Sequence, residues 1–398
     1  ALEGFSFRKS KNDHYPYRIM KTITIDIRLI GKGRTGDEAV FRALTKGIVA
    51  LDQENRYLLL TDETDGEKVA LLHQELGVIG RENIEVISLA GRNRFVWNLF
   101  SVPFFLLRRR VDVFHTQYIL PIFIPSRTRV LVHIHDVSFC ALPWFIGWKD
   151  RVLLRFFIPR SLKRADTVIV PSHFTRDEIV RYFRSVRSEK IVVIPNACSD
   201  EFDREVSGNE VSEARKRYGL PERYIVVVGT LQPRKNLPFF IRAFAELRKR
   251  DENIKLVLVG NRSAHHFDRN IDRVIAELDL GQQVIFPGFV AQADLPAVIR
   301  GAFIYAFPSL YEGFGIPLLE AMSQNVPIAA SDIPCLREVA GDAAAYFDPS
   351  GVDMCAEILY TLTIHSEKRK QLIEAGQNRF RRFSWSKSVQ SLAAVYYA

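Results

Sequence analysis

Two glutamates with seven residues between them, Glu312 and Glu320 in the run EGFGIPLLE, are the side chains of this sequence that point most directly to chemistry. Gly313 and Gly315 stand between them, letting the main chain come close to a ligand. Pro317 is suited to the first position of a helix, where its missing N–H has no intrahelical partner in any case. A helix that starts there aims unbonded N–H groups at an anion. A carboxylate, bare amides and a second carboxylate suit a molecule with hydroxyls at both ends and negative charge between, and a nucleotide sugar is such a molecule. A glycosidase pair would instead stand opposed across one sugar bond. The bland reading, two surface glutamates beside a helix start, is opposed by the glycines, the proline and the apolar strand before them.

Arg234 and Lys235, in VVVGTLQPRKNL, follow a strand and a glycine and precede a helical stretch, which puts them at the edge of a cleft. Fixed cations there favour a reaction whose leaving group gains negative charge, as a diphosphate does. The alternative is a solvated basic pair that the helix dipole mildly opposes. A metal could do the same work beside a diphosphate, but the chain has no D-x-D triplet to hold one, so no metal and no other cofactor is expected.

The turn Gly31-Lys32-Gly33-Arg34-Thr35-Gly36 is a G-x-G-x-x-G between a strand and a helix. Alone it reads as a dinucleotide fingerprint, which makes an NAD-type oxidoreductase the main rival. The acidic residue that fingerprint wants, about 20 positions on, arrives late, at Asp62. His133 and His135 would share one face of a strand and could begin a metal site, but no third ligand stands out. His133 reads better as a packed or satisfied core histidine.

The elements that must position these groups alternate. TITIDIRLI, from Thr22 to Ile30, reads as the first strand. Further apolar strands are expected at 57–61, 83–89, 111–115, 130–135, 167–171 and 191–195, with helical lengths between most of them. A polar stretch after Asn196 (ACSDEFDREVSGNE) reads as a linker. A second series follows, at 224–229, 255–260, 284–287, 303–308, 327–330 and 344–347, with a last helix from about Ser384 to Tyr397. Apolar strands alternating with helices imply parallel sheets covered on both faces, with ligands bound beyond the strands' carboxyl ends.

With those residues in hand, EGFGIPLLE resembles the signature of the family-4 retaining glycosyltransferases of GT-B fold, and the likeness extends over nearly the whole chain. It implies an α/β architecture of two doubly wound Rossmann-like domains facing a cleft. An acceptor-binding domain would span 20–198, with helix 384–398 packing back on it, and a donor-binding domain 199–383. By the resemblance Glu312 holds sugar hydroxyls and Glu320 the ribose, while Gly313, Phe314, Gly315 and Ile316 offer N–H groups to sugar and phosphate. Arg234 and Lys235 hold the diphosphate, and the main chain near Phe289-Val290 meets the base. Gly33, with Gly31 second, meets donor phosphate and acceptor. His135-Asp136 matches an "HD" pair of a subset that often transfers mannose; it puts His135 at the reacting carbon and Asp136 on the acceptor side. Many relatives carry an arginine directly after the glycine where this chain has Thr230, so Arg234 takes that role less directly than Lys235 takes its own.

The chain has 398 residues, 47% hydrophobic and 25% charged, with a formal charge of +9. That length suits two domains. The basic excess suits phosphates or anionic lipid; no nucleic-acid-binding motif is present. Cys140, Cys198, Cys335 and Cys355 are scattered, as reduced thiols of a cytoplasmic protein would be. Asn261-Arg262-Ser263 then reads as a chance sequon. Residues 1–19 are patternless and read as an extension or expression remnant. No apolar run reaches about 18 residues, the length of a spanning helix. The stretches 92–110 and 142–164 mix aromatic and basic residues, which fits either an interfacial helix on anionic lipid at the inner membrane face or an ordinary domain helix. The expectation is a retaining, metal-independent hexosyltransferase. It would move mannose from GDP-mannose (or a sugar from a UDP donor) onto a glycan or lipid-linked acceptor. A GT-B epimerase or phosphorylase, and a non-catalytic sugar-nucleotide-binding subunit, stand as alternatives beside the oxidoreductase.

Overall fold

A computed structural model describes residues 20–33, 36–91, 93–262 and 267–398. The expectations for residues 1–19, Arg34, Thr35, Arg92 and Ser263 lie outside the described residues.

The first sheet is built from β1 (Thr22–Asp26), β2 (Arg56–Thr61), β3 (Ile84–Ser88), β4 (Val113–Gln117), β5 (Arg129–His133), β6 (Thr167–Val170) and β7 (Ile191–Val193). Their order is β3-β2-β1-β4-β5-β6-β7, and every pairing is parallel. The second holds β8 (Tyr224–Val228), β9 (Lys255–Val259), β10 (Val284–Ile285), β11 (Ile304–Phe307), β12 (Ile328–Ser331) and β13 (Ala344–Phe347). It is also parallel, in the order β10-β9-β8-β11-β12-β13. Strands such as YIVVV are buried along their whole length because helices cover both faces, so their β-branched side chains pack on two sides. In each sheet the order reverses beside the first strand of the series, which opens a crevice at the carboxyl ends.

Most strands stop earlier than their apolar patterns suggest, whereas β4 and β12 run on, to Gln117 and Ser331. β1 ends at Asp26, four residues short of Ile30, because the Asp26 carboxylate turns the chain. It accepts from Arg28 N at 3.1 Å, Trp97 Nε1 at 2.9 Å and Thr116 Oγ1 at 2.9 Å. β5 ends at His133, so His135 and Asp136 lie on the loop beyond it. The polar linker also carries more structure than its composition suggests. Phe202 is buried in a 3-10 turn, and Ser207 with Glu210 forms a reciprocal cap on the helix Gly208–Tyr218.

The helix Trp385–Tyr397 lies against the first sheet's helix Asp37–Leu51 and joins its core through Val389, Leu392 and Tyr396. The aromatic-basic stretches have two faces. In the first, Trp97, Val102 and Leu106 are buried while Phe100, Phe104 and Leu107 are exposed. In the second, Ile158 and Leu162 are buried while Trp148, Val152 and Phe156 face out. A π turn at Trp97–Ser101 sets the first stretch's rotation. An Arg94–Asp150 ion pair at 3.0 Å joins the two.

Candidate active site

Arg234 and Lys235 occupy one 3-10 turn, Pro233–Lys235, between β8 and the helix Leu237–Arg248. Lys235 Nζ donates to Glu312 Oε1 at 2.6 Å, and Arg234 Nη1 donates to Oε2 at 2.9 Å. Each oxygen of one carboxylate is thus held by a different cation. Glu312 and Lys235 are buried, and the ammonium stands 4.8 Å from the centroid of the Phe307 ring. Burial alone would raise the Glu312 pKa. The charges of Arg234 and Lys235 outweigh it and bring the carboxyl down to about 2. Loss of solvent lowers the Lys235 pKa, whereas the Glu312 charge raises that of Arg234.

Beyond Glu312 the chain makes the glycine turn. Gly315 precedes the helix Ile316–Ser323 with φ 102, a conformation L side chains rarely adopt. Phe314 is buried and meets the Phe383 ring edge-on at 5.6 Å. Ile316 is half-buried and touches apolar cores of both sheets. Glu320 lies in the same helix, also half-buried. Desolvation raises its pKa to about 7, against the opposing charge of Lys235.

The turn faces the first sheet. A Cβ on Gly313 would stand 2.0 Å from the main-chain oxygen of His135 and 2.9 Å from Asp136 Cβ, so no larger residue allows this approach. His135 Nε2 lies 2.8 Å from Gln117 Oε1, and its ring stacks on His133 at 4.4 Å. Asp136 Oδ1 accepts from Ser138 N at 2.9 Å and Ser138 Oγ at 2.8 Å. Burial raises the Asp136 pKa, and the Arg234 charge opposes it across the cleft. A cavity of about 450 Å³ opens beside Asp136, bordered by Asp26, Gln117, Tyr118 and Ile146. Glu312, Gly313, Arg234, Lys235, His135 and Asp136 therefore converge on one crevice.

Other expected residues sit differently. Gly31 and Gly33 both have positive φ, 81 and 67, and Gly31 N donates to Glu38 Oε1 at 2.9 Å. The helix that follows borders the crevice, since the Asp37 charge is felt by Arg234 and Asp136. Val290 packs into the second sheet's core while Phe289 is exposed, which leaves only its main chain to meet a ligand. His133 is a packed core histidine but not a satisfied one: neither ring nitrogen has a hydrogen-bond partner. Burial holds its pKa well below the usual imidazole value.

Comparison with known proteins decides the family. The "Glycosyltransferase Family 4" model matches residues 36–202, and the "Glycosyl transferases group 1" model matches 210–379. O-antigen chain mannosyltransferase B of Escherichia coli is 31% identical over 279 residues, covering 69% of this chain and 72% of that protein. The chain belongs to these glycosyltransferases. A second relative, O-antigen chain mannosyltransferase RfbU of Salmonella typhimurium, is 28% identical over 57% of this chain, which spans little more than half, 58%, of that protein. Among solved structures, Anabaena HepE in complex with UDP-glucose superposes with a TM-score of 0.73 at 20% identity, covering 95% of this chain and 99% of that one. That likeness places the glycosyltransferase in the GT-B fold, and its two parallel sheets agree with it.

The sequence did not disclose several residues around this glycosyltransferase's crevice or behind it. Ser172, Thr175 and Glu338, which reach across between the sheets, belong to no motif that marks a ligand. Ser172 does carry a helix-start signal, since its hydroxyl accepts from Thr175 N at 3.0 Å. Gln117 and Tyr118 lie past residue 115, where the apolar pattern ends that strand; β4 runs on to Gln117. Among the described residues, no group of three His, Cys, Asp or Glu side chains gathers as a metal site.

Proposed function

We propose that this glycosyltransferase moves mannose from GDP-mannose, with retention of configuration and without a metal, onto a glycan or lipid-linked acceptor. One observation carries the reading: Arg234 and Lys235 converge on a single carboxylate at the mouth of the glycine turn. Two cations and one anion leave a net positive charge beside the amides of the turn, where a diphosphate fits. The names of the two relatives support mannose and a polysaccharide product, and the bound UDP-glucose of HepE supports a nucleotide-sugar donor.

In this reading Lys235 and Arg234 hold the diphosphate, Glu312 the sugar hydroxyls and Glu320 the ribose. Gly31 and Gly33 border the phosphates, and the main chain at Val290 the base. The bond from the sugar's anomeric carbon to the phosphate oxygen breaks as the acceptor oxygen attacks the same face. The acceptor proton passes to the departing phosphate oxygen, whose new charge the two cations stabilise. His135 and Asp136 line the acceptor side. His135 is tied to Gln117 and Asp136 to Ser138, which suits positioning rather than proton abstraction.

The same proposal places the protein at the cytoplasmic face of a membrane. Phe100, Phe104, Trp148 and Phe156 are exposed beside Arg108, Arg109, Arg110 and Lys149, the mixture that binds anionic lipid. Among the described residues, no helix is long and apolar enough to cross a membrane. Thermal-shift measurement with GDP, UDP and NAD tests the donor: stabilisation by GDP alone supports it, UDP alone replaces the base, and NAD alone returns the oxidoreductase reading. An inverted anomeric configuration in the product would refute the same-face mechanism. Donor isomerised without acceptor, or glycan cleaved only with phosphate, would point to the epimerase or phosphorylase alternatives.

A further inference from the structure

The carbonyl of Gly313 does not point into the crevice. It accepts from Ser172 Oγ at 2.7 Å and from Thr175 Oγ1 at 3.0 Å, two hydroxyls at the start of the first domain's helix His173–Tyr182. Both side chains are fully buried. The next carbonyl, that of Phe314, accepts from Cys335 Sγ at 3.3 Å. Around this point the domains are sewn together. Glu338 of the second domain accepts from His173 N at 2.7 Å and Phe174 N at 2.8 Å, and the Tyr311 and Phe174 rings meet at 5.4 Å.

We propose that Ser172 and Thr175 are positioning residues that orient the donor-binding turn from the acceptor domain. A trans peptide unit is planar, so its C=O and N–H point in opposite directions. Two donors that draw the Gly313 carbonyl toward the helix therefore drive the Phe314 N–H the other way, to the side where the proposed donor lies. Both lone pairs of the carbonyl are engaged, so the unit has little freedom to rotate. The Gly313–His135 contact brings the same turn to the acceptor side, so the two domains share one hinge-point of geometry. Assembly of the amides for the sugar and distal phosphate then depends on closure of the acceptor domain. The nucleotide, gripped by Lys235 and Glu320 of the second domain, does not. The inference rests on the proposed role of the 313–316 turn.

The test uses the full chain with Thr175→Val, which keeps the shape and the Ser172 cap, the double variant Ser172→Ala/Thr175→Val, and Thr175→Ser as the conservative control. GDP-mannose turnover gives kcat/KM, calorimetry gives the Kd of GDP, and the 15N–1H cross-peak of the Phe314 amide in unliganded protein follows the orientation of the Gly313–Phe314 peptide unit. One lost hydrogen bond should lower kcat/KM about fivefold and both about 25-fold, with GDP affinity within about twofold and Thr175→Ser near wild type. The Phe314 cross-peak should shift and broaden in the double variant as the peptide unit gains freedom. An unchanged cross-peak, an unchanged kcat/KM, or equal losses of GDP binding and turnover, would overturn the proposal. If the wild type neither binds nor turns over GDP-mannose, the donor reading fails. The amide cross-peak then decides the latch by itself: a shifted, broadened peak supports it and an unchanged one refutes it.

Discussion

Donor binding should depend on pH through Glu320. The residue is half-buried, and desolvation of its carboxyl raises the pKa to about 7, with Lys235 the charge that opposes the shift. A carboxylate accepts from both hydroxyls of a ribose, whereas the protonated acid must present a donor to one of them. The ester phosphates of a nucleotide sugar keep their charge from pH 5.5 to 8.5, so this carboxyl dominates the change. Below pH 7 the apparent Kd for GDP-mannose should weaken by about tenfold per unit, and above pH 8 it should level off. The unliganded protein should show the opposite trend. A folded-state pKa above the unfolded value gives stability that is fully present below about 4.5 and lost as pH rises through about 7. Calorimetry and thermal melts across that range, in wild type and Glu320→Gln, measure both. The glutamine variant should bind weakly with a flat profile and lose this component of the melting trend. A flat wild-type profile, or an unchanged slope in Glu320→Gln, would refute the reasoning.

Lys235→Ala should slow transfer by about one to two powers of ten, because a charge-assisted bond to the leaving diphosphate is lost; steady-state kinetics with GDP-mannose checks this. Gly313→Ala forces a Cβ to within 2.0 Å of the His135 oxygen, so the turn must retreat. A displacement of about 1 Å should lower kcat by about 100-fold while leaving GDP binding largely intact, as parallel kinetics and calorimetry would show. Replacing Phe100, Phe104 and Trp148 with serine should abolish co-sedimentation with phosphatidylglycerol vesicles and leave transfer to a water-soluble acceptor unchanged.

Much of the fold could be read from the chain because short β-branched runs alternating with helical lengths leave few arrangements besides parallel sheets. Strand ends were less legible. TITIDIRLI keeps its alternation past Asp26, but hydrogen bonds to that carboxylate from the nearby Arg28 N and from the distant Trp97 and Thr116 end the strand there. In the crevice, EGFGIPLLE announced a glycine turn before a helix. Nothing local showed that Glu312 would pair with Arg234 and Lys235, more than seventy residues away. Ser172 and Thr175 read as a helix start and nothing more. Their second role depends on where the other domain lies, which no spacing within their own segment encodes. His133 was legible as core, but its unpartnered nitrogens follow from a stack between His115 and His135 that forms only when β4 and β5 pair.

The returning helix Trp385–Tyr397 has a consequence for biogenesis. As the ribosome extends the chain, the second sheet and its helices are complete before residues 385–397 emerge, while the first sheet's core still lacks Val389, Leu392 and Tyr396. The portion made first is thus the portion finished last, and it must wait, partly uncapped and exposed to chaperones and proteases, for a segment translated nearly two hundred codons after β7.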